Sequence, residues 1–313
     1  MIEALLQLLL NGAASGGVYA LVALGYTLVF SVLGVINFAQ GALFSVGGYL
    51  TYLLMGGKIG VNGALPGWGL PTGLPFPLAL LLAAAGSGLI GLLVERLAFA
   101  PLRRRNAEPL LALITSLGAG VVLVNLLQLL MGAEGYAFPP SAAALAGLPA
   151  VLVIGGARIR TIQLLLLLIS AAAVLALSFW LERSKGGRAL RAVAEDATTA
   201  QLLGIHSEAM VRLAFFLSGA LAGLAGGLIG VSVSLPGPYF GIGYGLKGLA
   251  VLVLGGLGSV PGAIAGGLLM GLAEALVPSA ASGWRDALAF AILFVVLLLR
   301  PSGLLGRRTV EKV

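Results

Sequence analysis

Long apolar runs recur along this 313-residue sequence, and they restrict it to folds that place helices in a lipid bilayer. About 20 residues at 1.5 Å rise per residue cross the ~30 Å hydrocarbon core. Only 9% of the residues are charged, against about a quarter in soluble domains. Open strands would leave backbone groups unpaired in lipid, so the spans are predicted to be helical. The predicted fold class is all-α, a polytopic transmembrane helical bundle of about 8 to 10 segments with short or broken helices.

The apolar runs divide the chain into nine predicted membrane segments. Their predicted bounds are 3–30, 38–56, 77–98, 109–131, 161–181, 209–231, 246–257, 263–278 and 284–300. With the C-terminus in the cytoplasm, alternation of nine spans places the N-terminus outside. Thirteen of the 18 Lys and Arg residues then lie on the inside and five on the outside, which fits the positive-inside rule. The first segment lacks a positively charged start, so it is expected to be retained rather than cleaved as a signal peptide.

Glycine is frequent, with 48 residues, and many glycines lie four positions apart. Small residues one turn apart allow helix backbones to approach closely in lipid, so these pairs indicate helix packing. Two apolar runs, 246–257 and 263–278, are too short to span and are joined by GSVPG. Short, interrupted segments of this kind line cavities in transport proteins. VINFAQG at 35–41 is a candidate counterpart, but weak similarity between the halves leaves an internal duplication open.

Six polar or charged residues within or beside the spans are candidates to line a pathway through the bundle: Asn37, Gln40, Asn125, Gln128, Lys247 and Glu274. Lys247 and Glu274 fall near the outer ends of an antiparallel pair of short segments, so they are predicted to lie close together and to pair. A charge inside a span is costly unless it is paired or hydrated. Asn125 and Gln128, three positions apart, share one face of the fourth span. The alternative for the amides and for Glu274 is a hydrogen bond that only holds helices together.

Several kinds of chemistry have no support in the sequence. It has no Cys and one His, His206, so no metal site and no thiol nucleophile is predicted. No catalytic residue and no cofactor is predicted either. The net charge of +7 is spread between apolar spans, so nucleic acid is not a predicted partner. The GxxxxGK(S/T) loop that binds ATP phosphates is absent, so energy for any transport would come from a partner or an ion gradient.

One polar stretch interrupts the apolar pattern. Residues 182–212 hold nine of the 29 charged residues of the chain, which has 18 basic and 11 acidic ones. Between Gly187 and Ile205 the spacing predicts one short amphipathic helix, and Gly204 is placed to end it. The predicted apolar stripe comprises Leu190, Val193, Ala194, Ala197, Ala200 and Leu203. Such a helix either lies at the lipid interface or docks in a groove of a soluble partner.

Motifs along the chain resemble those of one family of membrane proteins. They are VINFAQG at 35–41, VGGY at 46–49, VERLAFAPLR at 94–103, LITSLG at 113–118, GRALRAVAEDATTAQLLGI at 187–205, VLGGLGSVPGAIAGG at 253–267 and RPSGLLG at 300–306. In this order they are similar to the permeases of bacterial ABC transporters for branched-chain amino acids. The similarity runs from residue 10 to the C-terminus and is strongest to the smaller of the two permeases in such transporters.

The resemblance implies a single permease domain over 1–313 with a cytoplasmic coupling segment at 182–208. The residues implied to couple the chain to ATPases are Arg188, Arg191, Glu195, Asp196, Ala200 and Gly204. The implied partners are a second related permease, two cytoplasmic ATP-binding subunits, a periplasmic substrate-binding protein and the lipid bilayer. The implied protein is a transport subunit of the bacterial inner membrane and not an enzyme, because the partner subunits hydrolyse ATP.

The implied activity is import of leucine, isoleucine or valine by alternating access. A permease for urea, short amides or other amino acids stays open within the same family, because related permeases share the coupling segment. A stand-alone secondary transporter is a third hypothesis. It is less favoured because that class more often has an ionisable residue deep in a central span, whereas the candidates in this chain lie near span ends.

Overall fold

The structure is a computed structural model that describes residues 2–105, 107–138, 151–154, 157–277, 281 and 283–306. The helices within these residues are α1 (Ile2–Leu33), α2 (Gln40–Leu54), α3 (Phe76–Val94), α4 (Ala100–Arg104), α5 (Pro109–Met131), α6 (Thr161–Arg183), α7 (Lys185–Glu195), α8 (Ala197–Leu202), α9 (Ser207–Val233), α10 (Phe240–Gly255), α11 (Val260–Ala275) and α12 (Trp284–Leu299). A π-helical turn, Glu95–Phe99, joins α3 to α4. An antiparallel hairpin pairs β1 (Val151–Ile154) with β2 (Ala157–Arg160).

Each of the nine predicted membrane segments contains a helix, and the all-α bundle is confirmed. Five described stretches are long and apolar enough to cross a bilayer: Gln7–Leu33, Phe76–Arg104, Pro109–Met131, Thr161–Arg183 and Ser207–Val233. α10 and α11 pass the same test together but are bent by 120° at residues 256–259. α2 and α12 have 15 and 16 residues. The bundle therefore combines full spans with short and broken helices, as the sequence predicts.

α10 starts earlier than the sequence predicts, at Phe240 rather than at residue 246. The extra turns contain Gly241, Gly243 and Gly245, and each glycine weakens a helix by about 1 kcal/mol relative to Ala. The backbone N–H of Gly241 donates to Ser45 Oγ at 3.0 Å, because α10 begins against α2. Tertiary contact thus outweighs the low helix propensity of this stretch.

The two ends of the bundle carry different segments. The end that we name the coupling side carries α7 and α8, which line one groove with the end of α1 at Leu33 and with Arg103 and Arg104. The opposite end, the loop side, carries the segments that follow α5 and α9, where Tyr136 and Leu235 form a β-bridge. α1 therefore runs from the loop side to the coupling side, and α9 runs back.

The chain contains an inverted repeat that is hard to recognise from residue identities. Residues 34–39 separate α1 from α2, and residues 234–239 separate α9 from α10, an offset of 200. The residue before each short helix has the same conformation, since Ala39 has φ −70° and ψ −5° and Tyr239 has φ −81° and ψ −3°. The two helix pairs run in opposite directions. We name α1–α2–α3 repeat unit 1 and α9–α10–α11 repeat unit 2.

Contacts between the two units are reciprocal, as a pseudo-twofold axis requires. A Cβ added at Gly41 would collide with the carbonyl oxygen of Gly241, and a Cβ at Gly241 would collide with that of Gly41. The rings of Phe44 and Tyr244, again 200 positions apart, stack with their centroids 4.9 Å apart. The duplication that the sequence leaves open is therefore present as an inverted-topology repeat, an arrangement common among transporters.

The third helix of each unit packs on the first helix of the other. Gly88 of α3 lies against the backbone of Phe216 in α9, and Gly16 of α1 lies against the backbone of Leu268 in α11. In these two crossings position 16 of α1 corresponds to position 216 of α9, an offset of 200 residues, and position 88 of α3 corresponds to position 268 of α11, an offset of 180 residues. The predicted role of glycine in close helix packing is confirmed at these crossings. α1 and α9 are buried over most of their length, whereas α5 and α6 leave most of theirs exposed, so the two units form the core.

Candidate functional site

Three charged side chains meet between α10, α11 and α12. Lys247 Nζ lies 2.9 Å from Glu274 Oε1 and 2.7 Å from Asp286 Oδ1. The predicted pairing of Lys247 with Glu274 is confirmed. Asp286 is not among the residues predicted from the sequence, because its contact with Lys247 joins separate helices and leaves no spacing pattern. The sequence feature that points to Asp286 is its place as an acidic residue in the first turn of a membrane helix.

Two tyrosines complete this group, which we name the Lys247 cluster: Tyr19, Tyr244, Lys247, Glu274 and Asp286. Tyr19 Oη donates to Glu274 Oε2 at 2.6 Å. Lys247 Nζ lies 5.6 Å from the ring centroid of Tyr19 and 5.9 Å from that of Tyr244, within the range of a cation–π contact. One ammonium group faces two carboxyl groups, so the cluster carries an excess negative charge when all three are ionised.

The Lys247 cluster lies toward the loop side of the bundle. Glu274 is the next-to-last residue of α11, and Asp286 is the third residue of α12. Glu274 is buried, the Lys247 side chain is 16% exposed and the Asp286 side chain is 68% exposed. Solvent exposure therefore increases across the cluster, from the buried Glu274 carboxylate, through the Lys247 ammonium group, to the exposed Asp286 carboxylate.

Repeat unit 1 has no equivalent of this cluster. Lys247 corresponds to Gly47 at the offset of 200, and Glu274 corresponds to Val94 at the offset of 180. Gly47 is pressed against the backbone of Gly223, where a side chain does not fit. The shared frame of the two units therefore forms without charged groups at these positions.

Asn37 and Gln40 lie at the break between α1 and α2, and both are buried. Gln40 Nε2 donates to Ser218 O at 3.1 Å, and Ser218 Oγ donates to Gln40 Oε1 at 2.8 Å, so Gln40 joins α2 to α9. Asn37 Oδ1 accepts from Ala39 N at 3.1 Å. Its Nδ2 atom is buried without a hydrogen-bond partner among the described residues. The bonds of Gln40 are the helix-holding kind that the sequence leaves open as an alternative.

Asn125 and Gln128 lie on α5, the fourth predicted span. Asn125 Nδ2 donates to Val121 O at 2.8 Å, and Tyr239 Oη donates to Asn125 Oδ1 at 3.1 Å at an exposed position. Gln128 is half-buried one turn further along. Asn125 thus connects α5 to the break in repeat unit 2. The six predicted pathway residues lie in three separate places instead of one cluster.

The predicted coupling segment forms two short helices, and the prediction of one helix is wrong. Asp196, with φ −157° and ψ 107°, ends α7 and begins α8. Its Oδ1 accepts from Thr198 N at 2.8 Å, and Thr199 Oγ1 donates to its Oδ2 at 2.5 Å. An Asp that satisfies the free N–H groups of a first turn is a strong N-cap, so it interrupts the helix that the apolar spacing favours. Hydrogen bonds from Thr199 and Thr198 also hold the pKa of Asp196 below its ordinary value.

The predicted apolar stripe is correct from Leu190 to Ala194 and at Ala200, and it is wrong at Ala197 and Leu203. Leu190, Val193 and Ala200 are buried, Ala194 is half-buried, and Ala197 and Leu203 are exposed. The break at Asp196 gives α8 a new direction, so Leu203 is 75% exposed and its neighbour Leu202 is 84% exposed. Gly204, with φ +83°, follows the end of α8, which confirms its predicted role as a helix stop.

Charged residues cover the outer side of this segment. Arg188, Arg191 and Glu195 are exposed, as predicted off the stripe. Across the neighbouring groove, Arg103 Nη2 pairs with buried Glu95 Oε1 at 3.0 Å, at the π-helical turn. The segment thus rests on the bundle by Leu190 and its neighbours and presents charges and two leucines outward on the coupling side.

An inverted repeat of membrane helices, an ion-paired cluster among the spans and a peripheral helical segment on one side define a membrane transport subunit. The chain belongs to the family described as "Branched-chain amino acid transport system / permease component", which matches residues 8–297. The resemblance seen in the motifs is confirmed.

Relatives match nearly the whole chain. The high-affinity branched-chain amino acid transport system permease protein LivH of Escherichia coli (strain K12) is 38% identical over 98% of this chain and 97% of the relative. The corresponding permease protein BraD of Pseudomonas aeruginosa is 37% identical over 98% of each chain. A probable LivH of Methanocaldococcus jannaschii is 29% identical over 96% of this chain and 92% of the relative. The similarity therefore covers both repeat units and the coupling segment.

Proposed function

We propose that this chain is one of two membrane subunits of an ABC importer for branched-chain amino acids. The observation that carries the proposal is identity of 37–38%, over nearly the full length, to permeases named for high-affinity transport of these amino acids. The proposed partners are a second related permease, two ATP-binding subunits and a substrate-binding protein. The inverted repeat supports alternating access, because each unit can rock against the other.

The proposed orientation places the coupling side in the cytoplasm and the N-terminus outside, in the inner membrane of a bacterial cell. Thirteen Lys and Arg residues then lie inside and five outside, in line with the positive-inside rule. The loop side, with the segments that follow α2 and α5, faces the substrate-binding protein.

α7 and α8 are the proposed docking site of the ATPases. Leu202 and Leu203 are the large apolar side chains that this segment exposes, and exposed apolar side chains of a short helix can dock in a partner's groove. Arg188, Arg191 and Glu195 supply charges of both signs that fix the register. Leu190 and Val193 are buried against the bundle, so a movement of the segment carries the membrane helices with it.

The proposed pathway follows the exposed face of α5 and α10, at the boundary with the second permease. Asn125 and Tyr239 form a polar pair on this otherwise apolar face, and polar groups that face lipid are costly. A polar pathway or a partner subunit removes that cost. Lys247, Glu274 and Gln128 are proposed to contribute at its loop-side end, and Asn37 at the break between α1 and α2.

Reconstitution of the complete transporter in proteoliposomes tests the proposal. We expect ATP-dependent uptake of L-leucine when the binding protein and both ATPases are present, and no uptake when the ATPases are left out. The ATPases should also co-purify with this chain from membranes. Uptake driven by an ion gradient without ATPases would identify a secondary transporter, and ATP-dependent uptake of urea or isobutyramide in place of leucine would identify an amide permease.

Variants of the coupling segment test whether α7 and α8 are the docking site of the ATPases. Arg191→Glu and Leu203→Ser should each lower L-leucine uptake by about tenfold. Both variants should still be recovered from membranes as folded protein. Arg105→Glu, an exposed charge change on the same side outside the segment, is the matched control. Normal uptake and normal ATPase stimulation in both variants would contradict docking at this segment.

A further inference from the structure

The Lys247 cluster is not required by the fold. Repeat unit 1 makes the same helix crossings with Gly47 and Val94 where unit 2 has Lys247 and Glu274. A buried charge inside a span is costly, and such residues commonly mark a substrate or ion pathway. Because unit 1 makes the equivalent crossings with uncharged residues at these two positions, the packing of the crossings does not by itself account for the cluster.

The two ion pairs of Lys247 have different surroundings. The pair with Glu274 is sealed, since Glu274 is 7% exposed and Tyr19 Oη donates to its second oxygen at 2.6 Å. The pair with Asp286 is open, since the Asp286 side chain is 68% exposed. The first pair therefore fixes the ammonium group in place, and the second can be displaced by a molecule that enters from the exposed side.

The open pair is complementary to a zwitterion. A molecule with one carboxylate and one ammonium group that inserts between Lys247 and Asp286 replaces one ion pair with two and leaves the charge of the cluster unchanged. The faces of Tyr19 and Tyr244 lie within 6 Å of the Lys247 ammonium group and help to keep it in place when the partner on its open side changes. A neutral molecule gains neither ion pair.

An exposed aliphatic surface lies on the same helix as Lys247. Ile242 is 41% exposed and Leu246 is 47% exposed, and their spacing of four places them on one face of α10. Gly243 on the same face has no atom within 4 Å of an added Cβ, so the space beside these residues is open. A charged pair beside exposed aliphatic side chains matches the backbone and the side chain of an aliphatic amino acid.

We propose that the Lys247 cluster is a recognition subsite for the zwitterionic backbone of an α-amino acid. Lys247 binds the carboxylate, Asp286 binds the ammonium group, and Ile242 and Leu246 contact the aliphatic side chain. Glu274 and Tyr19 act as positioning residues that hold Lys247. The inference rests on the proposed function and narrows its substrate class, because urea and short amides lack both charges. In the proposed orientation the subsite lies at the outer end of the pathway, where a binding protein releases its substrate.

Asp286→Asn in the complete transporter is the main test, because the residue is exposed and its loss leaves Lys247 paired with Glu274. We expect the maximal rate of ATP-dependent L-leucine uptake to fall by about tenfold, with ATP hydrolysis stimulated by the liganded binding protein within about twofold of wild type. Asp286→Glu should recover most of the uptake. Glu108→Gln, an exposed carboxylate-to-amide change on the coupling side, should leave uptake unchanged.

A second variant removes the ammonium group without leaving an unpaired buried charge. Lys247→Gln combined with Glu274→Gln keeps hydrogen-bonding groups in place, and we expect loss of L-leucine uptake with normal recovery of the assembled complex. Uptake within twofold of wild type in both this variant and Asp286→Asn would overturn the subsite. Equal loss of uptake and of assembled complex would identify the ion pairs as structural and would also overturn it. Absence of leucine uptake in the wild-type transporter would instead contradict the proposed function.

Discussion

Repeat units 1 and 2 have the same arrangement of helices but differ in the residues at equivalent positions. Both make the reciprocal crossing at Gly41 and Gly241, and both bring their third helix against the first helix of the other unit. Unit 1 has Gly47 where unit 2 has Lys247. Small residues therefore specify the packing twice, whereas the charges at the Lys247 and Glu274 positions occur in unit 2 alone.

The units also differ in how their second and third helices are joined. Residues 55–75 connect α2 to α3 on the loop side, whereas residues 256–259 connect α10 to α11 on the coupling side. The longer connection covers one end of the bundle. The shorter one forms a tight turn in which Gly256 has φ +106° and Gly258 has φ +77°, conformations that favour glycine.

The largest stability effect is expected where unit 2 departs from unit 1. Lys247→Met leaves the buried Glu274 carboxylate without its counter-ion and should destabilise the protein by about 3–5 kcal/mol. Adding Glu274→Leu should recover most of that loss, because unit 1 forms its equivalent crossing with apolar residues. Denaturant unfolding of the purified complex in detergent measures both variants. Equal destabilisation of the single and the double variant would show that unit 2, unlike unit 1, does not tolerate apolar residues at these two positions.

The shared frame is tested by substitutions at the reciprocal contact. Gly41→Val and Gly241→Val each force a side chain into a carbonyl oxygen of the other unit, and each should cost about 1–3 kcal/mol. Gly243→Val, on the open face of the same helix, is the matched control and should change stability by less than about 0.5 kcal/mol. A large loss for one unit and none for the other would show that the pseudo-symmetry does not extend to the energetics.

A smaller effect is expected at the polar crossing between Gln40 of unit 1 and Ser218 of unit 2. Ser218→Ala removes the hydroxyl that donates to Gln40 Oε1 and should cost about 1–2 kcal/mol, because a buried acceptor is left unpaired. Ser31→Ala, which loses only a bond to Leu28 O within the same helix, should cost about 0.5 kcal/mol or less. Thermal unfolding of the two variants side by side checks the difference. Equal midpoints would mean that the Gln40 contact contributes nothing beyond packing.

The smallest stability effect is expected at Asp286. Asp286→Asn removes an ion pair whose carboxylate is 68% exposed, and exposed pairs contribute about 0–1 kcal/mol. The unfolding midpoint of the complex should therefore stay close to that of wild type even though uptake falls. A large drop in the unfolding midpoint would show that Asp286 stabilises the packing of the helices and would contradict its role in substrate recognition.

Much of the frame could be predicted because it depends on local pattern. Apolar runs located all nine segments, and the ends of two short spans placed Lys247 beside Glu274. Gly204 was recognised as a stop because a left-handed residue after a helix favours glycine. In each of these cases the controlling interaction lies within a few residues or follows from the direction of two neighbouring helices.

The missed features depend on contacts between distant segments. Asp286 reaches Lys247 only after α12 packs beside α10, and α10 begins at Phe240 only because Gly241 meets α2. The inverted repeat is hard to recognise in residue identities because its crossings need only small residues, which are abundant in this chain. The prediction of one continuous helix through Asp196 is wrong because apolar spacing carries no information on whether a side chain caps the next turn.

The bend between α10 and α11 is held by main-chain bonding to a segment that follows α12. Leu304 N donates to Leu254 O at 2.8 Å, and Leu305 N donates to Gly255 O at 2.9 Å. Gly256 has no room for a side chain, because an added Cβ would collide with the backbone of Gly306. The last turn of α10 is therefore hydrogen-bonded to the segment that follows α12, so the position of the bend depends on where α12 ends as well as on the turn between α10 and α11.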